Sequence, residues 1–456
     1  MTFKSINPYT ETLIAEYDEH NDARVESILA QAEKTYATDW RERSYGERAE
    51  VIRKVADLLE NRLDDYAHLA TTEMGKRLPE AQWEVRFCVD VLRYYADHAE
   101  SILASRPLQV QQGKARVEAR PLGPVLCIEP WNFPFFQLTR VAAPILMAGN
   151  TVVMKHAASV PQCALAFEKL FIDAGAPAGI YTNLFVSNVR AAGVIADKRI
   201  RAISLTGSER AGIAVAAQAG KALKKVTMEL GGSDAFVVLD DANLDVAIPL
   251  AVFGRMMNTG QGCGCSKRFI LPANLYEQFV ARFAQELEAL TPGDPLDPAT
   301  GVGPLSSKAA LDRALQQIDE AVAHGAKIVT GGKRLDREGY FLAPTILTDV
   351  NADNPVFHQE IFAPVAVVFR VESDAEAIAL ANDSPYGLGG SVISPDVERA
   401  EQVAAQIDTG MIFINQVADS APNLPWGGVK NSGYGRELAD FGITEFVNWK
   451  LIRTAE

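Results

Sequence analysis

Between residues 123 and 232 the chain alternates short apolar runs with helical spacing, and nothing else in it constrains the fold as strongly. The runs are Val125-Leu126-Cys127-Ile128, Thr151-Val152-Val153-Met154, Ala202-Ile203-Ser204-Leu205 and Val226-Thr227-Met228-Glu229-Leu230. Helical spacing passes through Ala164, Phe167, Leu170 and Phe171 and stops at Gly175; a second helix is expected over 211–222. Strands that are apolar on both faces and separated by helices imply a parallel sheet with helices on both sides. After Leu230-Gly231-Gly232-Ser233 the alternation resumes, with strands over 235–239 and 268–271 and helices over 244–257 and 276–290. A second α/β unit is therefore expected, as suits 456 residues, too many for one compact core.

The first hundred residues read as helices covering a sheet. Val51, Val55, Leu58, Leu59, Tyr66 and Leu69 share one helical face, and Ser44 with Glu47 forms a capping box. Segments 115–120 and 445–452 alternate polar and apolar residues, as half-exposed strands do. Such strands need partners, supplied either by a second subunit or by a hairpin within one chain.

Composition excludes several classes. Hydrophobic residues make up 48% and charged residues 22%, an ordinary globular balance. The net charge of −14 argues against nucleic acid or anionic membrane as a partner. No uncharged run reaches the ~18 apolar residues of a membrane span, and the first residues show no apolar signal core. Five cysteines, at 88, 127, 163, 263 and 265, read as reduced thiols of a cytoplasmic protein.

Several segments combine chemistry-bearing residues with glycine or proline. In Asn258-Thr259-Gly260-Gln261-Gly262-Cys263-Gly264-Cys265, Cys263 is a nucleophile or a structural cysteine in a glycine-rich turn. Half of a metal site is a weak third reading, since the histidines are scattered. Glu229 ends an apolar strand, where a buried carboxylate becomes a general base and a solvated one does nothing. Pro130-Trp131-Asn132-Phe133-Pro134 holds an amide stiffly, as an oxyanion donor or as plain packing. Leu205-Thr206-Gly207-Ser208 runs from strand into helix, where free N–H groups suit a phosphate. The G-x-G-x-x-G fingerprint is absent, so an ordinary Rossmann reading fails. Lys155 stands at a strand end, facing a ribose, a phosphate or water, and Glu360-Ile361-Phe362-Ala363-Pro364 pairs a carboxylate with an aromatic ring before a proline.

Taken together with Pro425-Trp426-Gly427-Gly428-Val429-Lys430, these motifs, in their order, resemble the NAD(P)-dependent aldehyde dehydrogenase superfamily over essentially the whole chain. The resemblance implies an α/β architecture: an atypical Rossmann cofactor domain (1–110 and 130–231), an α/β catalytic domain (232–431) and a small oligomerisation arm of strands (111–129 and 437–456). It implies that Cys263 attacks the aldehyde, that Asn132 and the Cys263 N–H form the oxyanion hole, and that Glu229 activates water to hydrolyse the thioester. Trp131, Lys155, Gly207, Ser208, Leu230, Glu360 and Phe362 would hold NAD or NADP. A homodimer or homotetramer acting on a small aldehyde, with no metal, follows from the same likeness.

Three positions depart from the common pattern. Ala158 stands where many NAD-preferring members carry a glutamate, which leaves a 2′-phosphate unrepelled. His156 replaces a proline, and Gly264 makes the thiol loop richer in glycine, which is expected to loosen it. Within the superfamily the closest likeness is to succinate-semialdehyde dehydrogenases. Arg140 is similar to an arginine that takes the substrate carboxylate there, and a structural salt bridge is its alternative; Gln137 and Ser420 are helpers. Met257 stands where some relatives carry another arginine, and Arg255 is two residues away. Cys263 and Cys265, separated by Gly264, are expected to form a reversible disulfide switch, with Cys265 as a packed residue the alternative.

Overall fold

The computed structural model describes residues 2–455. Its first sheet contains the expected strands β1 (Pro124–Glu129), β2 (Thr151–His156), β4 (Ala202–Thr206) and β5 (Lys225–Glu229), together with a short strand that was not expected, β3 (Tyr181–Asn183). They are parallel and ordered β5-β4-β1-β2-β3, with Gly433–Tyr434 added antiparallel on the outside of β5. The chain builds outward from β1 to β3, then returns to place β4 on the other side of β1. That reversal opens a crevice at the carboxyl ends of β1 and β4, where α/β sheets take ligands. Helix α1 (Phe136–Met147) leaves the end of β1, and α2 (Glu209–Lys221) leaves the end of β4.

The second sheet has seven strands, with Asp234–Val238, Ser266–Pro272, Val365–Val371 and Gly390–Ile393 at its parallel centre. Each sheet is packed on both faces, so each unit has its own core. Connecting the second sheet's strands Asp234–Val238 and Ser266–Pro272, α3 (Leu244–Met256) runs directly into the Asn258–Cys265 loop.

The segments 115–120 and 445–452 become strands Lys114–Pro121 and Val447–Thr454, and they pair with each other within the chain, joined by Arg106–Leu108. The boundary at 129 is corrected: β1 is the middle of the first sheet, because its apolar run is buried on both faces, and it is no part of the arm. The chain also re-enters the first unit before the arm, since Ala439–Thr444 packs on α1.

The expected capping box forms, with Ser44 and Glu47 each accepting from the other's backbone N–H. The helical stretch from 45 to 74 breaks at Arg62 into two helices. A hairpin, Thr2–Ile6 with Leu13–Asp18, precedes them. No helix among the described residues is long and apolar enough to cross a membrane.

Candidate active site

The loop after α3 is held in a costly shape. Asn258, Thr259 and Gly260 all have positive φ, at 51°, 54° and 75°. For a β-branched threonine that conformation is an outlier, worth roughly 1–3 kcal/mol, and persists only where surrounding contacts impose it. Those contacts are dense. Asn258 Nδ2 donates to the Asn132 carbonyl at 2.7 Å, and Asn258 N donates to Glu80 at 2.8 Å. Arg255, fully buried, donates to the Gly260 carbonyl at 2.7 Å, so it props the loop from behind and does not face a substrate. Gly260 lies against Ala363: a Cβ there would stand 2.5 Å from that residue's carbonyl. The strain serves to bring the thiol loop onto the Glu360–Pro364 segment.

Lys267 fastens the same loop. Its buried ammonium donates to the carbonyls of Gly262 at 3.0 Å, Cys263 at 2.7 Å and Cys265 at 3.4 Å, and it pairs with Glu360 at 3.2 Å. The expectation that Gly264 loosens the loop is therefore overturned. Glycine is needed at 264 because a Cβ would stand 2.9 Å from the Trp426 ring.

Cys263 is half-buried and lines a cavity of about 320 Å³. Phe133, Phe136, Trp83 and Trp426 supply apolar walls, while Gln137, Arg140, Ser420 and Asp419 supply polar ones. Arg140 is the one cation in that lining. Met257, standing in the place of an expected arginine, is part of the wall. Burial pushes the Cys263 thiol up to about 12, against the pull of Arg140 and Lys267. Cys265 is buried outside the cavity lining, its thiol donating to the Met257 carbonyl at 3.5 Å; both thiols are free. Asn132 is held at both ends: its Oδ1 accepts from Gln137 at 3.2 Å, and its Nδ2 donates to the Gln261 carbonyl at 3.2 Å.

The sheet places the carboxylates. Glu229 ends β5, is 3% exposed and has no hydrogen-bond donor on either oxygen. Burial first, then the neighbouring Glu437, raises it well above the usual carboxylate range, while Arg140 and Arg436 pull it down. Arg140 makes a salt bridge and also lines the cavity: its guanidinium, 1% exposed, forms an ion pair with Glu437 through Nε and donates to Thr206 Oγ1 at 3.1 Å through Nη2. Glu437 and Lys267 were not foreseen from the sequence. A lysine beside Arg268 at the start of the strand Ser266–Pro272, just before its apolar run, is a signal that could have found the second.

The remaining motif residues gather at the carboxyl edge of the first sheet. Ser208 caps α2, its side chain accepting from Ala211 N at 3.4 Å, and Gly207 N donates to the Glu229 carbonyl at 2.9 Å. Lys155 lies on β2, 7% exposed, with no ion pair or hydrogen bond to its ammonium, and burial alone lowers it. Ala158 packs beside the Phe3 and Phe185 rings. Leu230 is buried against α2. Glu360 Oε1 accepts from Gly232 N at 3.1 Å, and Phe362 meets Trp131 edge to face at 5.8 Å. An unpaired buried ammonium, a capped helix start and a glycine between them fit a dinucleotide phosphate. No cluster of metal-ligating side chains occurs among the described residues.

Comparison with known proteins agrees with this geometry. The model of the aldehyde dehydrogenase family matches residues 1–452. A succinate-semialdehyde dehydrogenase [NADP(+)] of Deinococcus radiodurans is 48% identical over 451 residues, covering 99% of this chain and 94% of its own. The structure of succinic semialdehyde dehydrogenase from Streptococcus pyogenes, solved with NADP+, is 45% identical, with a TM-score of 0.98 over the full length of both chains. A structure described for cofactor and substrate selection by Gox0499 is 55% identical, also with a TM-score of 0.98 over both full lengths. With its motifs in one crevice and its whole length matched, the chain belongs to the aldehyde dehydrogenase family.

Proposed function

We propose that this chain oxidises a short aldehyde bearing a remote carboxylate, succinic semialdehyde above all, to the acid with NADP. The observation that carries the reading is a half-buried Cys263 in an apolar cavity whose single cationic wall is Arg140, with buried Glu229 adjoining. When bound, NADP+ supplies the hydride acceptor. Lys155, Gly207 and Ser208 would hold its adenosine and pyrophosphate half. Trp131, Leu230, Glu360 and Phe362 would hold its nicotinamide half. With Ala158 in place of a carboxylate, nothing at that position repels a 2′-phosphate.

The chain's own groups divide the labour. The Cys263 thiol, raised by burial against the pull of Arg140 and Lys267, gives up its proton to solvent as sulfur attacks the carbonyl. Asn132 Nδ2 turns from the Gln261 carbonyl to the developing oxyanion, joined by the Cys263 N–H. Glu229, in its ionised form, removes a proton from the water that cleaves the thioester and then returns it to solvent. Gln137 orients Asn132, and Ser420 lies at the cavity mouth beside Asp419.

The test is a kinetic panel of succinic semialdehyde, glutaric semialdehyde, hexanal and benzaldehyde, each with NADP and with NAD. The ω-carboxy aldehydes with NADP should show the highest kcat/KM; preference for hexanal would contradict the substrate reading and leave a general aldehyde dehydrogenase.

Cys265 is the proposed resolving thiol of a redox switch. Because it is packed beneath Gly262, the loop must shift for a Cys263–Cys265 bond to close, so the disulfide is strained and easily reduced. Mild peroxide should inactivate the enzyme and dithiothreitol restore it. Cys265→Ser should lose the rescue as Cys263 runs on to sulfinic acid; rescue equal to wild type would mean that Cys265 only packs.

A further inference from the structure

Glu129 is a buried carboxyl that the reaction described above does not use. It ends β1, is 2% exposed and, apart from the pull of the Thr206 hydroxyl, has no hydrogen-bond donor on either oxygen among the described residues. Register places it. Ile128 pairs with Leu205, so the next residue on β1 stands beside Thr206, and Thr206 pairs with Glu229. Glu129, Thr206 and Glu229 therefore end three adjacent strands in one row, about 5 Å apart from strand to strand. Arg140, from α1, lies over that row with one nitrogen on Thr206 and another on Glu437.

The charges do not balance. Three buried carboxyls, Glu129, Glu229 and Glu437, share Arg140, whose direct ion pair goes to Glu437. Arg436 adds a weaker pull on Glu229 while its own guanidinium donates to the carbonyls of Gly428 and Gly435. The other groups facing Glu129 bring no positive charge. On β2, the His156 ring is buried with Nδ1 against the Glu129 carbonyl, and burial drives it to about 4, so it is neutral. Cys127 on β1 and Tyr181 on β3 are buried and neutral, and Thr206 offers only a hydroxyl. Like charges so close in a low-dielectric interior cannot all ionise together, and such groups titrate as a unit.

We propose that Glu129 is a positioning residue for Glu229: standing in the same buried row across Thr206, it disfavours a second negative charge there, so that Glu129 sets the pH at which Glu229 becomes available as a base. This rests on Glu229 being that base. Both carboxyls are raised by burial and by Glu437.

The experiment is Glu129→Gln, with two readouts. The first is the pH profile of thioester hydrolysis. Removing one carboxyl from the row should move its acid limb down by about one unit. The second is thermal unfolding against pH. A carboxyl whose folded pKa is raised gives stability that is complete below its unfolded value, near ~4.3, and lost as pH rises toward its folded value. Wild type should therefore unfold at a lower temperature than Glu129→Gln at pH 7 and above, with the gap closing toward pH 4. Both shifts together support the proposal. A thermal gap with an unmoved acid limb would make Glu129 merely a buried acid and overturn it, as would absence of both. Should Glu129→Gln fold poorly, Glu129→Met gives the same comparison. Glu229→Gln run alongside separates the two claims: normal thioester hydrolysis there would remove the base reading while leaving the thermal gap of Glu129→Gln intact.

Discussion

Cys263→Ala is expected to lower kcat with every aldehyde by at least about 10⁴-fold, the scale on which removing a covalent nucleophile acts. The alternative thiol, Cys265, cannot substitute, because it is buried outside the cavity lining and donates to the Met257 carbonyl. Losing one sulfur from a half-buried site leaves no charge unpaired, so the fold should persist. The loop does not depend on the thiol: Lys267, Arg255 and Asn258 hold its backbone. Steady-state kinetics, with cofactor binding followed by fluorescence, is the check. Turnover within tenfold of wild type would place the chemistry elsewhere, and lost cofactor binding would mean the loop had collapsed.

Arg140→Ala should have two separable effects. One is on stability. The guanidinium is buried and ion-paired to Glu437, so its removal strands a carboxylate beside Glu229 and Glu129 and costs about 3–5 kcal/mol. Adding Glu437→Gln takes away the stranded charge, and the double variant should recover most of that loss. The other effect is on substrate. As the one cation lining the cavity, Arg140 should give succinic semialdehyde a charge-assisted contact worth about 1.5–3 kcal/mol. In the double variant, KM for succinic semialdehyde should thus stay at least about tenfold above wild type while that for hexanal changes little. Equal recovery for both substrates would show that Arg140 is structural only.

Much of this architecture was legible because its signals are local. The β1, β2, β4 and β5 segments are apolar runs, and their helices repeat apolar residues at helical spacing, so both periods show in a short window. The first hairpin was missed because Leu13–Asp18 is short and mostly exposed, and Tyr181–Asn183 is too short to show a period. The site divides in the same way. Cys263, Asn132 and Glu360 sit in motifs, whereas Glu437 acquires its place from Arg140, far away in the chain, and Lys267 from three loop carbonyls and Glu360. Glu437, buried by a partner so distant in the chain, leaves no local trace. For Arg140 the sequence leaves a substrate contact and a salt bridge both open, and only packing shows that the salt bridge forms.

The most direct test of the account is to look for the acyl group on Cys263. Glu229→Gln cannot take a proton from water, so mixing it with succinic semialdehyde and NADP+ should give one burst of NADPH and then stall. After acid quenching, mass spectrometry of the peptide containing Cys263 should show it succinylated as a thioester, in proportion to the NADPH formed. NADPH produced with the Cys263 peptide unmodified, or an acyl group found on any other residue, would contradict the account.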